Sequence, residues 1–346
     1  MSLTLPARRR LNREQLSPLS RLLSRLPLSR LLLRHEYMIA LGRPCGLPGL
    51  REHPWRTVLT RDLVTDAVAE YIADPFLLRR GNAFYLYFEV LNLSTGWGEL
   101  SVAHSSDLEH WSYDGVALRE RCHLSYPYVF EHGGETYMVP ETSERATVSL
   151  YRATAFPLGW EKVGDLLAGE AFVDTSLFHE DGPDGQWWLV TSTAHSARPR
   201  VYCAAGLRGP WTPVPAQSDA DPTRLRSAGR IFRLGGQWYR PVQRQGQVYG
   251  EDVWLYRIEL GAHGYRETLV QEVPQPLLGP PGVSAAGSPL SGAPPPGWNA
   301  VGMHHLDLQP DGDDFVAAVD GKSLILDASP RRALLRLRNK LFRIGR

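Results

Sequence analysis

The stretch AEYIADPFLLRRGNAFYLYFE, residues 69–89, sets an aspartate–proline pair, Asp74-Pro75, directly before two short apolar segments separated by a glycine-containing turn. Residues 171–193, AFVDTSLFHEDGPDGQWWLVTST, repeat this layout around Asp174. Apolar and aromatic runs of this length, bounded by turn residues, are typical of β-strands. The recurrence predicts a repeated β unit, and it suggests that the acid at the head of the first strand has a use beyond packing.

Five segments of the chain share one order of elements: a short apolar strand, a turn with glycine, an aromatic-rich strand, and a further strand often followed by tryptophan. A proline- and glycine-rich insert, residues 274–298, lengthens the last interval. A repeat of close to 50 residues with several strands is typical of a β-propeller blade. The heads of the five first strands are Asp74, Tyr126, Asp174, Ser227 and, approximately, His304.

These repeats predict an all-β fold: one five-bladed β-propeller over residues 36–325, with short basic helical N- and C-terminal extensions. Two β-sandwiches built from the same strands are the alternative, but the constant order of turn and aromatic strand favours the propeller. A chain of 346 residues with 43% hydrophobic residues can bury the large core that this fold needs. We expect Trp111, Trp160 and Trp211 to fill the gaps between neighbouring blades.

The two ends of the chain differ in charge from its middle. Residues 1–34 contain eight Arg and one acid, and residues 331–346 contain six Arg, one Lys and no acid, whereas the chain between them carries 23 bases and 36 acids. Leucines interleaved with arginines give both ends a basic amphipathic pattern. We therefore expect an amphipathic extension over residues 1–35 and a basic helix over residues 326–346. Either they dock on an anionic membrane surface or a partner protein, or they pack on the body.

Composition also bounds the partners and the compartment. No apolar run approaches the length of a membrane span, and arginines interrupt the core that a signal peptide would need. The basic residues are not interleaved with aromatics and the body is acidic, so nucleic-acid binding is not expected. Three widely spaced cysteines, Cys45, Cys122 and Cys203, favour a reducing compartment. We expect a cytoplasmic protein, peripheral on the membrane if its ends dock there.

Propeller geometry predicts where a site would lie. The first strand of each blade lines the central channel and the second runs back, so strand heads and returning strand tails meet at one mouth. Asp74, Asp174, Glu89 and Glu141 would crowd there, and crowded carboxyl groups have pKa values that are pushed apart. Further candidates for substrate contacts are His123, Tyr126, Arg226, Gln243, Glu251 and the pair His304 and His305, of which at most one faces the channel because neighbouring strand residues point to opposite faces.

Several segments resemble the N-terminal domain of plant glucosamine inositolphosphorylceramide transferases and their bacterial relatives, a domain similar to the five-bladed propellers of glycoside hydrolase family 43. The resemblance covers about residues 36–325. The most specific segment is HLSYPYVFEHGGETYMVPE, residues 123–141. The others are ADPF (73–76), LYRATAFPLGW (150–160) and FVDTSLF (172–178).

The glycoside hydrolase pattern implies roles for residues at the strand heads. Asp74 matches the general base, and Asp174 matches the aspartate that orients and tunes the acid. The pattern then expects a glutamate general acid at the head of the next blade, where this chain reads RSAGRIF, residues 226–232, with no acid. Glu141, Glu89 and Glu251 are the substitutes, and we rank Glu141 first because its strand-tail position faces the mouth.

Two classes of function fit these residues. One is a glycosidase or glycosyl-transferring enzyme that acts on a glycan or glycolipid with paired carboxylates, Asp74, Asp174 and Glu141 being the catalytic candidates. The other is a non-catalytic carbohydrate-binding propeller that serves surface-glycan or glycolipid assembly. The sequence has no glycine-rich phosphate loop, nucleophile elbow or HExxH motif, and PDGDD (310–314) lacks the spacing of a calcium loop. We therefore expect no cofactor and no metal.

Overall fold

The computed structural model describes residues 33–342 apart from 53, 181, 183–184, 220–225, 246–248, 262–263, 271–276, 280–296 and 312–313. In chain order the strands are β1 (Leu33–Gly42), β2 (Arg56–Leu59), β3 (Ala69–Arg80), β4 (Ala83–Asn92), β5 (Trp97–Ser105), β6 (Ser112–Leu118), β7 (Ser125–His132), β8 (Glu135–Thr142), β9 (Thr147–Ala155), β10 (Gly159–Ala168), β11 (Phe172–His179), β12 (Trp187–Thr193), β13 (Ser196–Ala204), β14 (Thr212–Val214), β15 (Ala216–Ser218), β16 (Arg226–Ser227), β17 (Phe232–Leu234), β18 (Gln237–Arg244), β19 (Asp252–Gly261), β20 (Gly264–Leu269), β21 (Leu306–Asp311) and β22 (Asp314–Leu326).

These strands form five sheets, which are the five blades of a β-propeller. Blades one, two and three are regular four-stranded antiparallel sheets, β3 to β6, β7 to β10 and β11 to β14. Blade four is larger and less regular: it runs β16, β18, β19, β20, with β17 also paired to β18 and the short β15 parallel to β20 at its outer edge. The predicted fold class is confirmed, and the two-sandwich alternative is excluded.

Blade five joins the two ends of the described chain. Its order is β21, β22, β1, β2, and β1 pairs with β22 along its whole length, from Leu33 opposite Leu326 to Gly42 opposite Ala317. Residues 33–35, which the sequence assigned to the N-terminal extension, therefore belong to a blade. This pairing joins strands from the two ends of the described chain in one sheet, and it thereby closes the ring of five blades. Residues 1–32, where we predict the rest of a basic extension, lie outside the described residues.

Helical structure is sparse in the described chain. Helix α1 (Gly46–Glu52) lies between β1 and β2, and helix α2 (Pro330–Phe342) follows blade five, as the basic C-terminal pattern predicted. Single 3-10 turns cover Arg61–Leu63 and Ser143–Arg145. Among the described residues, none of the helices combines the length and the apolarity that crossing a membrane requires.

The apolar core lies between adjacent blades. Clusters of buried side chains join blades one to three, blades five and one, blades three and four, and blades four and five. Trp160 and Trp211 pack against the first of these clusters and Trp111 against the second, as the sequence predicted. Trp160 of blade two, for example, meets the ring of Tyr87 of blade one edge-on at 5.7 Å between centroids. Such contacts fix the blades around a common channel.

Candidate functional site

Three of the repeated strand heads share an unusual backbone conformation. Asp74, Tyr126 and Asp174 have φ of 52°, 49° and 49°, although none of them is glycine. At each head the pairing register between the first and second strands of the blade slips, which is the mark of a β-bulge. A left-handed backbone at a side chain with a Cβ persists only where the surroundings over-determine it, and it is common at binding sites. The repeat that the sequence shows is therefore a repeated bulge that re-aims one side chain per blade.

Each of these bulges is fixed by a carboxylate of the preceding blade. The backbone N–H of Asp74 donates to Asp320 of blade five at 3.2 Å, and the N–H of Tyr126 donates to Asp74 at 3.2 Å. The N–H of Asp174 donates to Glu141 of blade two, also at 3.2 Å. These hydrogen bonds hold the acidic side chains at the mouth of the channel. The bulges and the carboxylates thus support one another around the ring.

A cavity of about 570 Å³ opens at this mouth. Seven of the eleven candidate residues line it, and among them are all three candidate catalytic residues, Asp74, Glu141 and Asp174. The other four of the seven are Glu89, His123, Arg226 and His304. The rest of the lining consists of Arg34, His35, Tyr37, Glu70, Tyr71, Ala73, Leu91, Ser125, Tyr249 and Lys322.

Four predicted contact residues do not line this cavity. The side chain of Tyr126 is buried between the blades, where its hydroxyl donates to the carbonyl of Gly229 in blade four at 2.7 Å. His305 is buried beside Phe76, while its neighbour His304 faces the cavity. The amide of Gln243 lies 3.5 Å from Asp174, and Glu251 pairs with Arg244 at 3.5 Å. Tyr126 and Gln243 therefore contact other parts of the site, and Glu251 lies outside the cavity lining, paired with Arg244.

Glu141, Asp174 and Arg226 form the ionic centre of one wall. The Arg226 Nε lies 2.5 Å from Asp174 Oδ2, and its Nη2 lies 3.7 Å from Glu141 Oε2. The hydroxyl of Ser143 donates to Glu141 Oε1 at 2.9 Å. Burial, followed by the neighbouring charge of Asp174, raises the pKa of Glu141 to about 7, against the opposing effect of Arg226. Glu141 is thus a carboxyl group that can hold a proton near neutral pH.

Asp74 lines the same cavity and lies between two histidines. Its Oδ1 lies 3.8 Å from His304 Nε2 and 3.7 Å from His305 Nδ1. Burial raises the pKa of Asp74 well above its ordinary value, although the positive charge of His304 works against this. Burial alone would lower the pKa of His304, but Asp320, at 2.7 Å from His304 Nδ1, raises it to about 9.

Glu89 and His123 form a second hydrogen-bonded pair in the lining. His123 Nε2 lies 3.2 Å from Glu89 Oε1, and the hydroxyl of Tyr71 lies 3.3 Å from the same oxygen. The backbone N–H of Gly98 donates to His123 Nδ1 at 3.0 Å. Because Nδ1 accepts this bond, the imidazole donates through Nε2 to Glu89. Glu89 therefore already accepts hydrogen bonds from His123 and Tyr71, which weakens the case for it as the proton donor.

The sequence did not single out the aromatic and basic residues on the closing strands. Tyr37 stacks on the His304 ring with centroids 4.8 Å apart, and Lys322 Nζ lies 5.3 Å from the centre of Tyr37. His35 and Tyr37, two residues apart on β1, both line the cavity, as the period of a strand requires. That alternation is present in the sequence, but it points to the site only once β1 is known to lie in blade five.

Three of these residues could also hold a cation. Asp74, His304 and Asp320 each offer a ligand atom, and these atoms lie within 4.8 Å of one another. Two carboxylates and one imidazole are a donor set that divalent metals accept. The close contact between His304 and Asp320 is that of an ion pair, so a metal is not required to explain it.

Comparison with known proteins places this arrangement in a family. The profile of the family described as "Glucosamine inositolphosphorylceramide transferase 1, N-terminal" matches residues 56–322. The chain belongs to this family. The matched range runs from the second strand of blade five, β2, through blades one to four and back to β22. It therefore covers blades one to four and part of blade five, but not β1, which carries Arg34, His35 and Tyr37 of the cavity lining.

Plant members of the family show the extent of the match. Glucosamine inositolphosphorylceramide transferase 1 of Oryza sativa subsp. japonica is 36% identical over 280 residues, which are 77% of this chain and 35% of that protein. The protein of the same name from Arabidopsis thaliana is 34% identical over 265 residues, 73% of this chain and 32% of that protein. The chain thus spans about a third of the length of the curated relatives it matches.

Solved structures resemble the propeller at low sequence identity. An exo-β-1,3-galactanase from Clostridium thermocellum superposes with a TM-score of 0.51 at 14% identity, covering 62% of this chain and 52% of that one. The exo-β-1,3-galactanase from Phanerochaete chrysosporium in complex with galactose gives 0.50 at 11%, covering 63% and 53%. At these identities the likeness shows the fold alone.

Blade four is where this family member departs from the glycoside hydrolase pattern. The head of its innermost strand carries Arg226 in place of the expected glutamate, and the guanidinium reaches Asp174 and Glu141. Of the three substitutes, Glu141 lines the cavity with a raised pKa, Glu89 lines it but is held by His123, and Glu251 does not line it. The assignment of Glu141 as the acid stays a prediction.

Proposed function

We propose that this propeller is an enzyme that cleaves or transfers a glycosyl unit of a glycan or glycolipid in the cavity, with Glu141 as general acid and Asp74 as general base. The observation that carries the proposal is the placement of Glu141 and Asp74 in one cavity, where burial raises the pKa of Glu141 to about 7. A proton donor and a proton acceptor near one concave surface are what glycosyl chemistry requires.

The two carboxyl groups divide the proton transfers between them. Glu141, protonated, donates its proton to the glycosidic oxygen as the bond from that oxygen to the anomeric carbon breaks. Asp74, ionised, accepts the proton of the water or acceptor hydroxyl whose oxygen attacks that carbon. Burial opposes the ionisation of Asp74, and the positive charge of His304, at 3.8 Å, acts against burial and favours the ionised form that a base needs. The proton of Glu141 leaves on the departing hydroxyl, and Asp74 gains the proton of the attacking water or acceptor hydroxyl. Exchange of protons with solvent then restores both carboxyl groups, so the reaction balances.

Asp174 and Arg226 act on Glu141 and do not exchange protons in this scheme. The negative charge of Asp174 favours the protonated form of Glu141, and Arg226 limits that effect. Arg226 also bridges blades three and four at this wall. The pair is therefore a means of adjusting the pKa of the proton donor, and it takes the place of the acid that blade four lacks.

The rest of the lining suits a polyhydroxylated ligand. Tyr249, which is 47% exposed, supplies an aromatic face for a sugar ring, and the charged side chains of the lining supply donors and acceptors for hydroxyl groups. The relatives are named as glucosamine inositolphosphorylceramide transferases. We carry over from that name the class of substrate, a sugar linked to a lipid, and no particular sugar.

Turnover of a panel of glycosides and activated sugars tests the proposal. Asp74→Asn and Glu141→Gln keep the shape of each side chain, so we expect ligand binding to survive while kcat falls by about 10²- to 10⁴-fold. Glu161→Gln, which changes an exposed carboxylate paired with Arg152, is the matched control and should keep full activity. In the wild type, kcat/KM should fall as the pH rises through about 7, because Glu141 then loses its proton.

A non-catalytic propeller that binds a glycan for a partner enzyme is the second candidate. Arg226 in place of an acid supports it. In that case Asp74→Asn would weaken binding, and no form of the protein would turn over any substrate. Binding of a sugar by a wild type that is inactive on the whole panel would overturn the enzymatic proposal.

In a complex with a bound sugar, the separation of the Asp74 and Glu141 carboxyl groups would then indicate the stereochemical course. About 6.5–9.5 Å indicates inversion and about 5–5.5 Å indicates retention.

A further inference from the structure

Helix α2 turns its apolar side away from the propeller. Leu334, Leu337 and Leu341 have 67%, 54% and 68% of their surface exposed, and Phe342 at the end of the helix has 71% exposed. Residues three, four and seven apart in a helix lie on one side, so the three leucines form a single stripe. A helix that packs on a soluble body normally buries such a stripe.

The opposite side of α2 holds the helix to the body by polar contacts. Arg336 donates to the carboxylate of Glu70 at 2.6–2.9 Å and also pairs with Asp327. The side-chain amide of Asn339 donates to the carbonyl of Leu93 at 3.0 Å. The orientation of the helix is therefore fixed by its polar residues, and the leucines take no part in the attachment.

The surroundings of the leucine stripe are strongly basic. Helix α2 contains four Arg and one Lys and no acid, and Arg331 and Lys340 are exposed beside the stripe. Residues 343–346, RIGR, add two Arg to the sequence. Residues 1–32 contain seven Arg against one acid, and they join the fold at Leu33, which pairs with Leu326, four residues before the helix. Within the described chain, α2 therefore presents an apolar stripe that is flanked by exposed basic residues.

We propose that the leucine stripe of α2 docks on an anionic lipid surface. The leucines would enter the boundary between head groups and acyl chains, and the flanking Arg331 and Lys340 would lie at the level of the lipid phosphates. A lipid surface is the occupant that the charge favours. A second copy of α2, or the basic segment 1–32, would bring like charges together at the same place.

The helix stands at the rim of the cavity. Glu70, whose carboxylate holds Arg336, is itself part of the cavity lining. A membrane beneath α2 would therefore lie beside the cavity and bring lipid head groups near its mouth. This last consequence rests on the proposed function, whereas the docking of α2 does not.

Co-sedimentation of the full chain with vesicles tests the docking. We expect binding to phosphatidylcholine vesicles that contain phosphatidylglycerol, weak binding to pure phosphatidylcholine, and weaker binding as salt screens the charges. Leu337→Ser with Leu341→Ser should reduce the affinity by about tenfold or more, since two inserted side chains are lost. Leu158→Ser, at a leucine of blade two that is 40% exposed, is the control and should bind as the wild type does.

A second pair of variants separates insertion from charge and from the cavity. Arg331→Glu with Lys340→Glu should abolish the preference for anionic vesicles while circular dichroism shows an unchanged fold. Glu141→Gln should bind vesicles as the wild type does, whatever its activity, so failure of the docking and failure of the proposed function are distinguishable. Wild-type protein that does not sediment with anionic vesicles at low salt would overturn the proposal.

A fluorescent probe distinguishes the other occupants of the stripe. Leu337→Cys, in a Cys45→Ser, Cys203→Ser background, carries a polarity-sensitive dye that should report water in buffer and an apolar surrounding once anionic vesicles are added. An apolar surrounding without lipid at every protein concentration would show that the chain's own segment covers the stripe. An apolar surrounding only at high concentration would show a second copy. Either result overturns the docking on lipid.

Discussion

Blades one to three and blade four hold the wall of the cavity by different means. In the first three, a residue with a left-handed backbone begins the blade, and its N–H donates to a carboxylate of the preceding blade. In blade four the innermost strand has only two residues, and Arg226 at its head reaches back to Asp174 of blade three through its side chain. At the start of blades one to three, the contact with the preceding blade is a hydrogen bond from a backbone N–H. At the start of blade four, it is an ion pair between two side chains.

This difference separates what shapes the cavity from what adjusts its chemistry. A backbone N–H is a fixed donor, so the bulges at Asp74, Tyr126 and Asp174 place carboxylates without changing the charge of the cavity. Arg226 adds a full positive charge beside Asp174 and Glu141. The pKa of Glu141, the proposed proton donor, is raised by burial and by Asp174 and is lowered by Arg226 of blade four, whereas the position of Glu141 depends on blades two and three. Substitutions in blade four should therefore differ in their effects on the free energy of unfolding and on the pKa of Glu141.

The largest effect on stability is expected inside blade four. Arg240 Nη2 lies 2.5 Å from Glu267 Oε1, and both side chains are fully buried. Arg240→Met leaves the Glu267 charge unpaired in the core, so we expect the free energy of unfolding to fall by about 3–5 kcal/mol. Arg152→Met removes the exposed partner of Glu161 and is the matched control, with an expected loss of less than about 1 kcal/mol. Urea denaturation measures both, and equal losses would contradict the assignment of Arg240 as a core ion pair.

A smaller effect on stability, with a change in pKa, is expected for Arg226→Met. Arg226 lies at the cavity, where water can solvate the carboxylates left behind, so we expect a loss of about 1–2 kcal/mol in the same measurement. The pKa of Glu141 should rise, because Arg226 lowers it in the wild type. The alkaline limb of the pH–activity profile should therefore move to higher pH. A limb that stays in place would show that Arg226 does not act on the proton donor.

The sequence predicts the architecture well because a blade is a local unit. Each of the first four blades is built from strands close together in the chain, so the spacing of Asp74, Tyr126, Asp174 and Ser227 is enough to count them. The closure of blade five could not be predicted in the same way. It pairs Leu33–Gly42 with a strand near the other end of the chain, and no local pattern marks such a contact.

The candidate site was predictable where it depends on the repeat. Strand heads and returning tails must share a mouth, and this placed Asp74, Asp174, Glu89 and Glu141 in one cavity. Tyr37 and Lys322 were missed because they come from the closing strands. The inward turn of Tyr126 was missed too, because it follows from a hydrogen bond to Gly229, more than a hundred residues later in the chain.

The protonation of Glu141 also links the cavity to the stability of the fold. A carboxyl whose pKa is raised on folding contributes stability that is present below its unfolded pKa, near 4.5, and is lost as the pH rises through about 7. The wild type should therefore lose stability relative to Glu141→Gln over this interval. The proposed role of Glu141 as a proton donor near neutral pH requires the same shift.

Titration of the Glu141 carboxyl itself tests this account most directly. Carbon-13 NMR of protein labelled at the glutamate side-chain carboxyl, with the Glu141→Gln spectrum identifying the signal, reports its protonation at each pH. We predict a midpoint near 7, because burial and Asp174 together outweigh Arg226. A midpoint near 4.5, the ordinary value for glutamate, would show that the cavity contains no proton donor at Glu141 and would contradict the proposed chemistry.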